Sequence, residues 1–251
     1  MTLRVLTYNI WFSDFITKER LGSLKHAIDE LDPHIICLQE VRCKIFYDIV
    51  NILPGYTVYP SEIKQQYDCM ICVKNNSGIN VCSYDCIKYE HSVMMRNLHI
   101  VTINYNNKII IIGNTHFESI FDPADEKIKI KYTQYQHAKN ILERIFKTNT
   151  EEVILCCDSN LTEEGVHIFN DIFSEWSDTW INNDYGYTYD TSTNKYLQRI
   201  QKFIQFRLDR ILKHGTGTKV IRSHIVNKVN NKLKYEPSDH YGVFTELSIS
   251  D

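Results

Sequence analysis

The sequence predicts an α/β protein built as a four-layer sandwich, with two mixed β-sheets packed face to face and helices on both outer surfaces. Three observations carry that prediction. The spacing of apolar residues switches repeatedly between strand period and helix period, a strand–helix–strand opening leads into a β-meander, and the second half repeats the same mixture. No linker, internal repeat or low-complexity tract separates the halves. A chain of 251 residues can bury one large core, so a single domain over residues 1–251 is expected.

In chain order, Arg4 to Ile10 and His34 to Leu38 read as strands. Between them, Glu19 to Leu31 carries Leu21, Leu24, Ala27, Ile28 and Leu31 at helical spacing. A second helix is expected near Lys44 to Leu53. Shorter strands follow at Tyr56 to Tyr59, Cys69 to Val73, Ile79 to Tyr84 and Leu98 to Tyr105, separated by turn-forming Asn75-Asn76-Ser77-Gly78 and Asn106-Asn107. Lys108 to Thr115 gives a strand, about Asp125 to Phe146 a long helix, Val153 to Cys157 a strand, and Val166 to Ile172 a short helix. The chain returns to β structure at Arg207 to Leu212, Thr218 to Ile225 and Gly242 to Leu247.

Composition narrows the setting. No stretch approaches the roughly 20 apolar residues that span a bilayer, and the start Met1-Thr2-Leu3-Arg4-Val5 lacks the apolar core of a signal peptide. Cys37, Cys69, Cys72, Cys156 and Cys157 lie in apolar strand-like runs, which argues for reduced thiols and an intracellular protein. Cys69, Cys72, Cys82 and Cys86 have zinc-like spacing, but Asp68-Cys69-Met70-Ile71-Cys72-Val73 reads as strand without a knuckle glycine, so no zinc site is expected. Net charge is −3, unevenly spread. Residues 151–194 contain no Lys or Arg, whereas 195–235 contain eleven, from Lys195 through Lys228, Lys232 and Lys234, with Asp209 the single acid. That segment forms either a basic face for a polyanion or a solvated surface, and composition favours the second.

Short polar motifs close several of the expected strands. Glu40 follows Ile35-Ile36-Cys37-Leu38, a position that suits a hard cation with oxygen ligands and equally a helix-capping carboxylate. Asp158 and Asn160 end Val153-Ile154-Leu155-Cys156-Cys157 on one side of an extended segment, with Ser159 opposite. A carboxylate to deprotonate water and an amide to hold a phosphate oxygen suit phosphodiester hydrolysis, and an Asx-turn accounts for the same pair. His240, after Pro237-Ser238-Asp239, is a candidate to stabilise charge on a pentacovalent phosphorus, with Asp209, flanked by Arg207 and Arg210, to orient its ring. His26, His34, His91, His99, His137, His167, His214 and His224 are read as structural.

Taken together and in order, Thr7-Tyr8-Asn9, Leu38-Gln39-Glu40-Val41, Asp158-Ser159-Asn160, Arg207-Leu208-Asp209-Arg210 and Ser238-Asp239-His240 resemble the hallmark motifs of the endonuclease/exonuclease/phosphatase superfamily, over nearly the whole chain. Finer signatures resemble the tyrosyl-DNA phosphodiesterase 2 family. These are Met94-Met95-Arg96-Asn97-Leu98, Thr115-His116-Phe117-Glu118-Ser119, Asp158-Ser159-Asn160-Leu161, Tyr187-Thr188-Tyr189-Asp190-Thr191 with Asn194, and Pro237-Ser238-Asp239-His240-Tyr241-Gly242. The resemblance implies the four-layer sandwich and a magnesium cofactor, with manganese as a substitute. It also implies hydrolysis of 5′-tyrosyl–DNA bonds, the lesion left by topoisomerase 2, and in some members release of protein-linked RNA. By the same resemblance Glu40, with Asp239, binds the metal; Asp158 activates water; Asn9, His116, Ser119 and Asn160 hold the scissile phosphate; and His240, Asp239 and Asp209 stabilise the transition state. Tyr189 and Arg207 would line the substrate site.

Departures from the family pattern are visible. Trp11 stands where an Asp often assists the metal, Cys157 replaces a Gly before the catalytic Asp, and Tyr189 replaces a Trp. Thr162 and the Ile120-Phe121 region stand where groove-lining arginines are usual. The first motif strand starts at Arg4, so no ubiquitin-binding segment is expected ahead of it. The expected partner is a DNA 5′ end bearing a tyrosine or peptide, or protein-linked RNA, with no membrane and a monomeric enzyme. A related nuclease acting on abasic or 3′-blocked DNA or on RNA is the enzymatic alternative, and a catalytically inactive nucleic-acid-binding protein the other. No Lys/Arg cluster of nuclear-import type assigns a compartment.

Overall fold

A computed structural model describes residues 1–122, 124–146, 150–226 and 234–249. In chain order the elements are β1 (Thr2–Asn9), α1 (Thr17–Leu31), β2 (Ile35–Arg42), α2 (Phe46–Ile52), β3 (Tyr56–Tyr59), β4 (Tyr67–Lys74), β5 (Ile79–Lys88), β6 (Asn97–Tyr105) and β7 (Lys108–His116). They continue with α3 (Ile128–Phe146), β8 (Glu152–Asp158), α4 (Val166–Ile172), β9 (Ser177–Asp178), β10 (Tyr189–Asp190), β11 (Gln205–Phe206), β12 (Asp209–Gly215), β13 (Thr218–Val226) and β14 (Gly242–Ile249). Two six-stranded sheets form, ordered β13-β14-β1-β2-β4-β3 and β5-β6-β7-β8-β12-β9, and β10 pairs with β11 in a small ribbon. Each large sheet contains one parallel pair, β1 with β2 and β7 with β8, among antiparallel neighbours.

Three apolar clusters separate the four layers. The first packs α1 and α2, through Leu21, Leu24, Ala27, Ile28, Phe46 and Ile49, onto the outer face of the first sheet. The central one interdigitates Val5, Ile35, Cys37 and Ile71 of one sheet with Val101, Ile110, Ile112 and Ile154 of the other. The third seats α3 and α4 on the second sheet through Tyr135, Ala138, Leu142 and Phe169. Strands covered on both faces explain why β2 and β8 are buried along their whole length and read as continuous apolar runs. The sheets are also joined by a buried amide pair. Gln39 Nε2 donates to Asn114 Oδ1 (2.7 Å) and to Thr7 Oγ1 (2.9 Å), while Asn114 Nδ2 donates to the Leu38 and Met70 carbonyls.

Several boundaries differ from the sequence reading. The second helix starts at Phe46, because Cys43-Lys44-Ile45 forms a 3-10 turn directly after β2. The long helix starts at Ile128 rather than Asp125, since the Asp122 and Asp125 carboxylates accept from the N–H groups of Ala124 and Lys127 and hold the chain in Asx-turns. The strand expected from Arg207 begins at Asp209 and runs to Gly215. The two-residue strands β9, β10 and β11 are too short to leave a periodic signal.

The four cysteines with zinc-like spacing do not converge: Cys69 and Cys72 are buried in β4, whereas Cys82 and Cys86 are exposed on β5. Four cations of the basic segment are matched by acids of other strands. Arg207 and Arg210 both pair with Asp178, Lys213 with Glu152 and Arg222 with Glu246. Lys228 and Lys232 lie outside the described residues.

One histidine read as structural sits in a charged setting. His99 on β6 is buried, with Nε2 2.8 Å from Asp68 Oδ1 and Nδ1 2.9 Å from the Tyr84 hydroxyl. Burial opposes the imidazolium, but the hydrogen bonds to Asp68 and Cys86 outweigh it and lift the His99 pKa to about 9. The folded-state pKa is above the unfolded value of about 6.5, so this stabilisation is fully present below pH about 6.5 and fades as pH rises through about 9. Chemical denaturation from pH 6 to 10 is expected to show His99→Gln converging on wild type at the alkaline end. The full span of the effect is about 3 kcal/mol.

Gly242 opens β14 directly beneath the ring of Tyr8, where an added Cβ would stand 2.5 Å from Tyr8 Cδ2 and 3.1 Å from the Thr7 carbonyl. Its missing side chain lets β14 close on β1 directly after the His240 turn. Gly242→Ala is expected to lower stability by about 1–3 kcal/mol, the usual cost of overpacking, as measured by thermal melting.

Candidate active site

Strand register assembles the site. Asp158, the last residue of β8, lies opposite His116 in the parallel β7 pair and opposite Asp209 in the antiparallel β12 pair. One rung across three strands therefore holds His116, Asp158 and Asp209 side by side. In the other sheet, Asn9 ends β1 beside Gln39 of the parallel partner β2. Face-to-face packing then brings Asn9 Nδ2 to 2.8 Å from Asp158 Oδ2.

Local backbone strain aims the remaining groups. β2 carries an irregularity between Leu38 and Val41, and within it Glu40 has φ 60°. The bulge turns Glu40 out of strand geometry toward Asn9 and His116. Its Oε2 accepts from the Phe12 N–H at 2.7 Å, and its Oε1 is 3.9 Å from His116 Nδ1. Asn160 has φ 48°, and its N–H donates to Asp158 Oδ1 at 3.0 Å, so the Asx-turn and the site are the same structure. The Asn160 amide donates to the Phe117 carbonyl. Ser159 points away, with Oγ on the Leu208 carbonyl, while Lys131 Nζ holds the Asn160 carbonyl at 2.8 Å from α3. Burial pushes the Lys131 ammonium down to about 8.

The proton-bearing groups are distinguishable. His116 Nδ1 lies 2.8 Å from Arg96 Nη1, which can only donate, so Nδ1 accepts and Nε2 carries the proton. That Nε2–H faces Asp158 Oδ2 at 3.3 Å. Burial, reinforced by Arg96, holds His116 well below the usual imidazole value and keeps it neutral. His240 is the reverse. Burial disfavours its charge, but Asp209, 2.8 Å from Nδ1, together with Asp158 and Asp239 raises it well above the ordinary value. Burial likewise pushes Asp158 up, and the two imidazoles, the Asn9 amide and the Asn160 N–H outweigh it, leaving an ionised carboxylate.

Glu40 and Asp239 form the acidic side of the site. Burial and then the Asp239 charge push Glu40 up to about 7, and burial raises Asp239. Two buried carboxylates that repel each other fit a divalent cation with oxygen ligands, which would relieve the desolvation of both. Asp158, Asp209 and His240 also offer ligand atoms within 4.8 Å of one another. That set suits a metal less well, because His240 Nδ1 is bonded to Asp209 and Asp158 Oδ2 accepts from Asn9.

The structure thus brings together Asn9, Glu40, His116, Asp158, Asn160, Asp209, Asp239 and His240. Ser119 joins through Arg96 Nη2 at 3.2 Å, and the half-buried Tyr189 ring stands edge-on to His240, centroids 5.3 Å apart. Arg207 does not join. Its guanidinium is 2.6 Å from Asp178 Oδ1 and packs over Trp180, so the expected substrate contact is replaced by a structural ion pair. Sequence reasoning gave no role to Arg96, which fixes the His116 tautomer, or to Thr188, whose hydroxyl accepts from the N–H groups of Leu208 and Asp209 and holds the start of β12. Their presence inside quoted motifs was the available signal.

No model of a known protein family matches the sequence. Tyrosyl-DNA phosphodiesterase 2 of Xenopus tropicalis is 26% identical over 254 residues, covering 97% of this chain, and the chain spans 65% of that relative's length. The fold matches the crystal structure of truncated Caenorhabditis elegans TDP2 with a TM-score of 0.85 at 23% identity, covering 100% of this chain and 98% of the other. It also matches that of D. rerio TDP2 complexed with single strand DNA product, with a TM-score of 0.85 at 18% identity, covering 98% and 99%. The motifs in order, the register that gathers them and a match along 97% of this chain make it similar in sequence to tyrosyl-DNA phosphodiesterase 2, and its fold is that of the TDP2 structures.

Proposed function

We propose that this chain is a metal-dependent phosphodiesterase that hydrolyses the bond between a tyrosine and a DNA 5′-phosphate, leaving a 5′-phosphate and free tyrosine or peptide. The observation that carries the reading is the His116–Asp158–Asp209 rung, with His240 against one end and the Glu40–Asp239 carboxylates nearby. The names of the sequence relatives support the tyrosyl–DNA substrate. Protein-linked RNA is a further substrate in this reading. The buried free thiols of Cys37, Cys69, Cys72, Cys156 and Cys157 support a reducing, intracellular setting, and the enzyme is read as a monomer.

In the proposed reaction the ionised Asp158, oriented by Asn9 and the Asn160 N–H, accepts a proton from the attacking water. The neutral His116 Nε2–H and the charged His240 supply donors to the oxygens that gain charge at the phosphorus. Asp209 holds the His240 ring, and Arg96 holds His116 and Ser119 in place. Magnesium, or manganese in its place, bound through Glu40 and Asp239 would neutralise phosphate charge and polarise the phosphoryl group. The departing tyrosine has a phenol pKa of about 10, so little proton donation is needed to expel it.

Purified protein incubated with magnesium and a 5′-phosphotyrosyl oligonucleotide is expected to release tyrosine and leave a 5′-phosphate, on DNA and RNA versions run side by side. Absence of release from both would sink the assignment. Asp158→Asn, Glu40→Ala and His240→Ala are each expected to lower kcat by at least about 10², the scale for losing one acid–base or charge-stabilising group. Arg207→Ala, by contrast, is expected to leave kcat near wild type while lowering the melting temperature.

A further inference from the structure

We propose that Arg20 is a positioning residue for the metal-facing carboxylates, clamping the segment after β1 and the turn before β14 into one rigid unit. The inference rests on the metal site of the proposed function and not on its tyrosyl–DNA substrate.

Arg20 lies on α1 and is 2% exposed. Its Nε donates to the Pro237 carbonyl at 3.1 Å, Nη1 to Ser13 and Phe15 at 3.0 and 3.2 Å, and Nη2 to Ile10 and Trp11 at 2.6 and 2.7 Å. A guanidinium has five N–H bonds, and here each meets a main-chain carbonyl. Among the described residues no carboxylate stands within ion-pair distance of it. The Trp11 ring covers its face, 4.7 Å from Cζ to the ring centroid. Asp239 and Glu40 attract the guanidinium only at longer range, so its direct contacts fix backbone, and its charged hydrogen bonds are stronger than neutral ones.

The carbonyls belong to two segments that need such support. Residues 10–15 have no ladder partners of their own beyond Ile10, and Trp11 has φ 60°. Yet this segment supplies the N–H groups that hold the site: Trp11 donates to Asn9 Oδ1 at 2.9 Å and Phe12 to Glu40 Oε2 at 2.7 Å. Pro237 leads into Ser238, whose hydroxyl meets Asp239 Oδ1 at 3.2 Å. Arg20 therefore fixes the backbone behind Glu40 and Asp239 together. Lysine cannot substitute, since it presents one nitrogen and no planar fork.

The test measures Mn²⁺ binding to the full chain without nucleic acid, by loss of the free-ion EPR signal, alongside melting temperature. Arg20→Lys and Arg20→Ala are expected to weaken Mn²⁺ binding by about tenfold or more, the range seen when a partner that orients metal ligands is removed. Leu24→Ala, which opens a cavity on the buried face of the same helix, is expected to lower the melting temperature with Mn²⁺ affinity unchanged. Guanidinium ion at non-denaturing concentration should restore binding to Arg20→Ala and do nothing for Leu24→Ala. Arg20 variants that melt lower but bind Mn²⁺ like wild type would overturn the clamp and leave the metal site standing. A wild-type chain that binds no Mn²⁺ would overturn both. Tyrosyl release, measured separately, bears only on the substrate.

Discussion

The site depends on strand register at the end of β8. Asp158 has two ladder neighbours, and both are candidate site residues: His116 in β7 and Asp209 in β12. Neighbouring strands stand about 4.8 Å apart, so three residues on one rung are held within reach of a single phosphate without any loop having to find them. A slip of one residue in either pairing would turn the partner side chain to the opposite face. The register is guarded by what lies behind it, since Ile154 and Cys156 face the central core while Val153, Leu155 and Cys157 face the α3 layer. The geometry of this edge is thus a consequence of core packing several residues away.

The same edge concentrates charge to a degree that the fold must offset. Glu40, Asp158, Asp209 and Asp239 lie together at a place where water is largely excluded. His240 answers three of them with a single proton, and its bond to Asp209 explains why it stays charged while His116, a few ångströms away, stays neutral. Two histidines in one site take opposite protonation states because burial, reinforced by Arg96, keeps His116 neutral, whereas Asp209 and its neighbouring acids outweigh burial at His240. Glu40 and Asp239 are the pair left without a full cationic partner, which is the condition a divalent ion satisfies.

Much of this was legible in the sequence because several site residues sit at or just inside strand ends. Apolar runs followed by Asn9, Glu40, His116 and Asp158 located both the strands and the edge on which they meet. What could not be read was anything decided by pairing between distant segments. Arg207 and Asp209 look equivalent in sequence, but Asp178 on the neighbouring β9 captures the first, and only the second faces His240. Arg96 and His116 are twenty residues apart, and their contact exists because β6 and β7 are antiparallel neighbours. The basic character of residues 195–235 was likewise incomplete in isolation, because Glu152, Asp178 and Glu246, acids from other strands, pair with Arg207, Arg210, Lys213 and Arg222.

The departures from the family pattern acquire physical meaning in the same way. Cys157 replaces a glycine yet is fully buried among apolar neighbours under α3, so the added side chain fills core rather than crowding Asp158. Where the resemblance leads one to expect arginines, Thr162 is buried at the start of a turn and Phe121 is exposed. Trp11 is the most consequential change. A carboxylate at that position would add a third acid beside Glu40 and Asp239, whereas Trp11 contributes its main-chain N–H to Asn9 and its ring to Arg20. Trp11 therefore acts mechanically: with Arg20 behind it, it holds the backbone that carries the N–H groups bonded to Asn9 and Glu40.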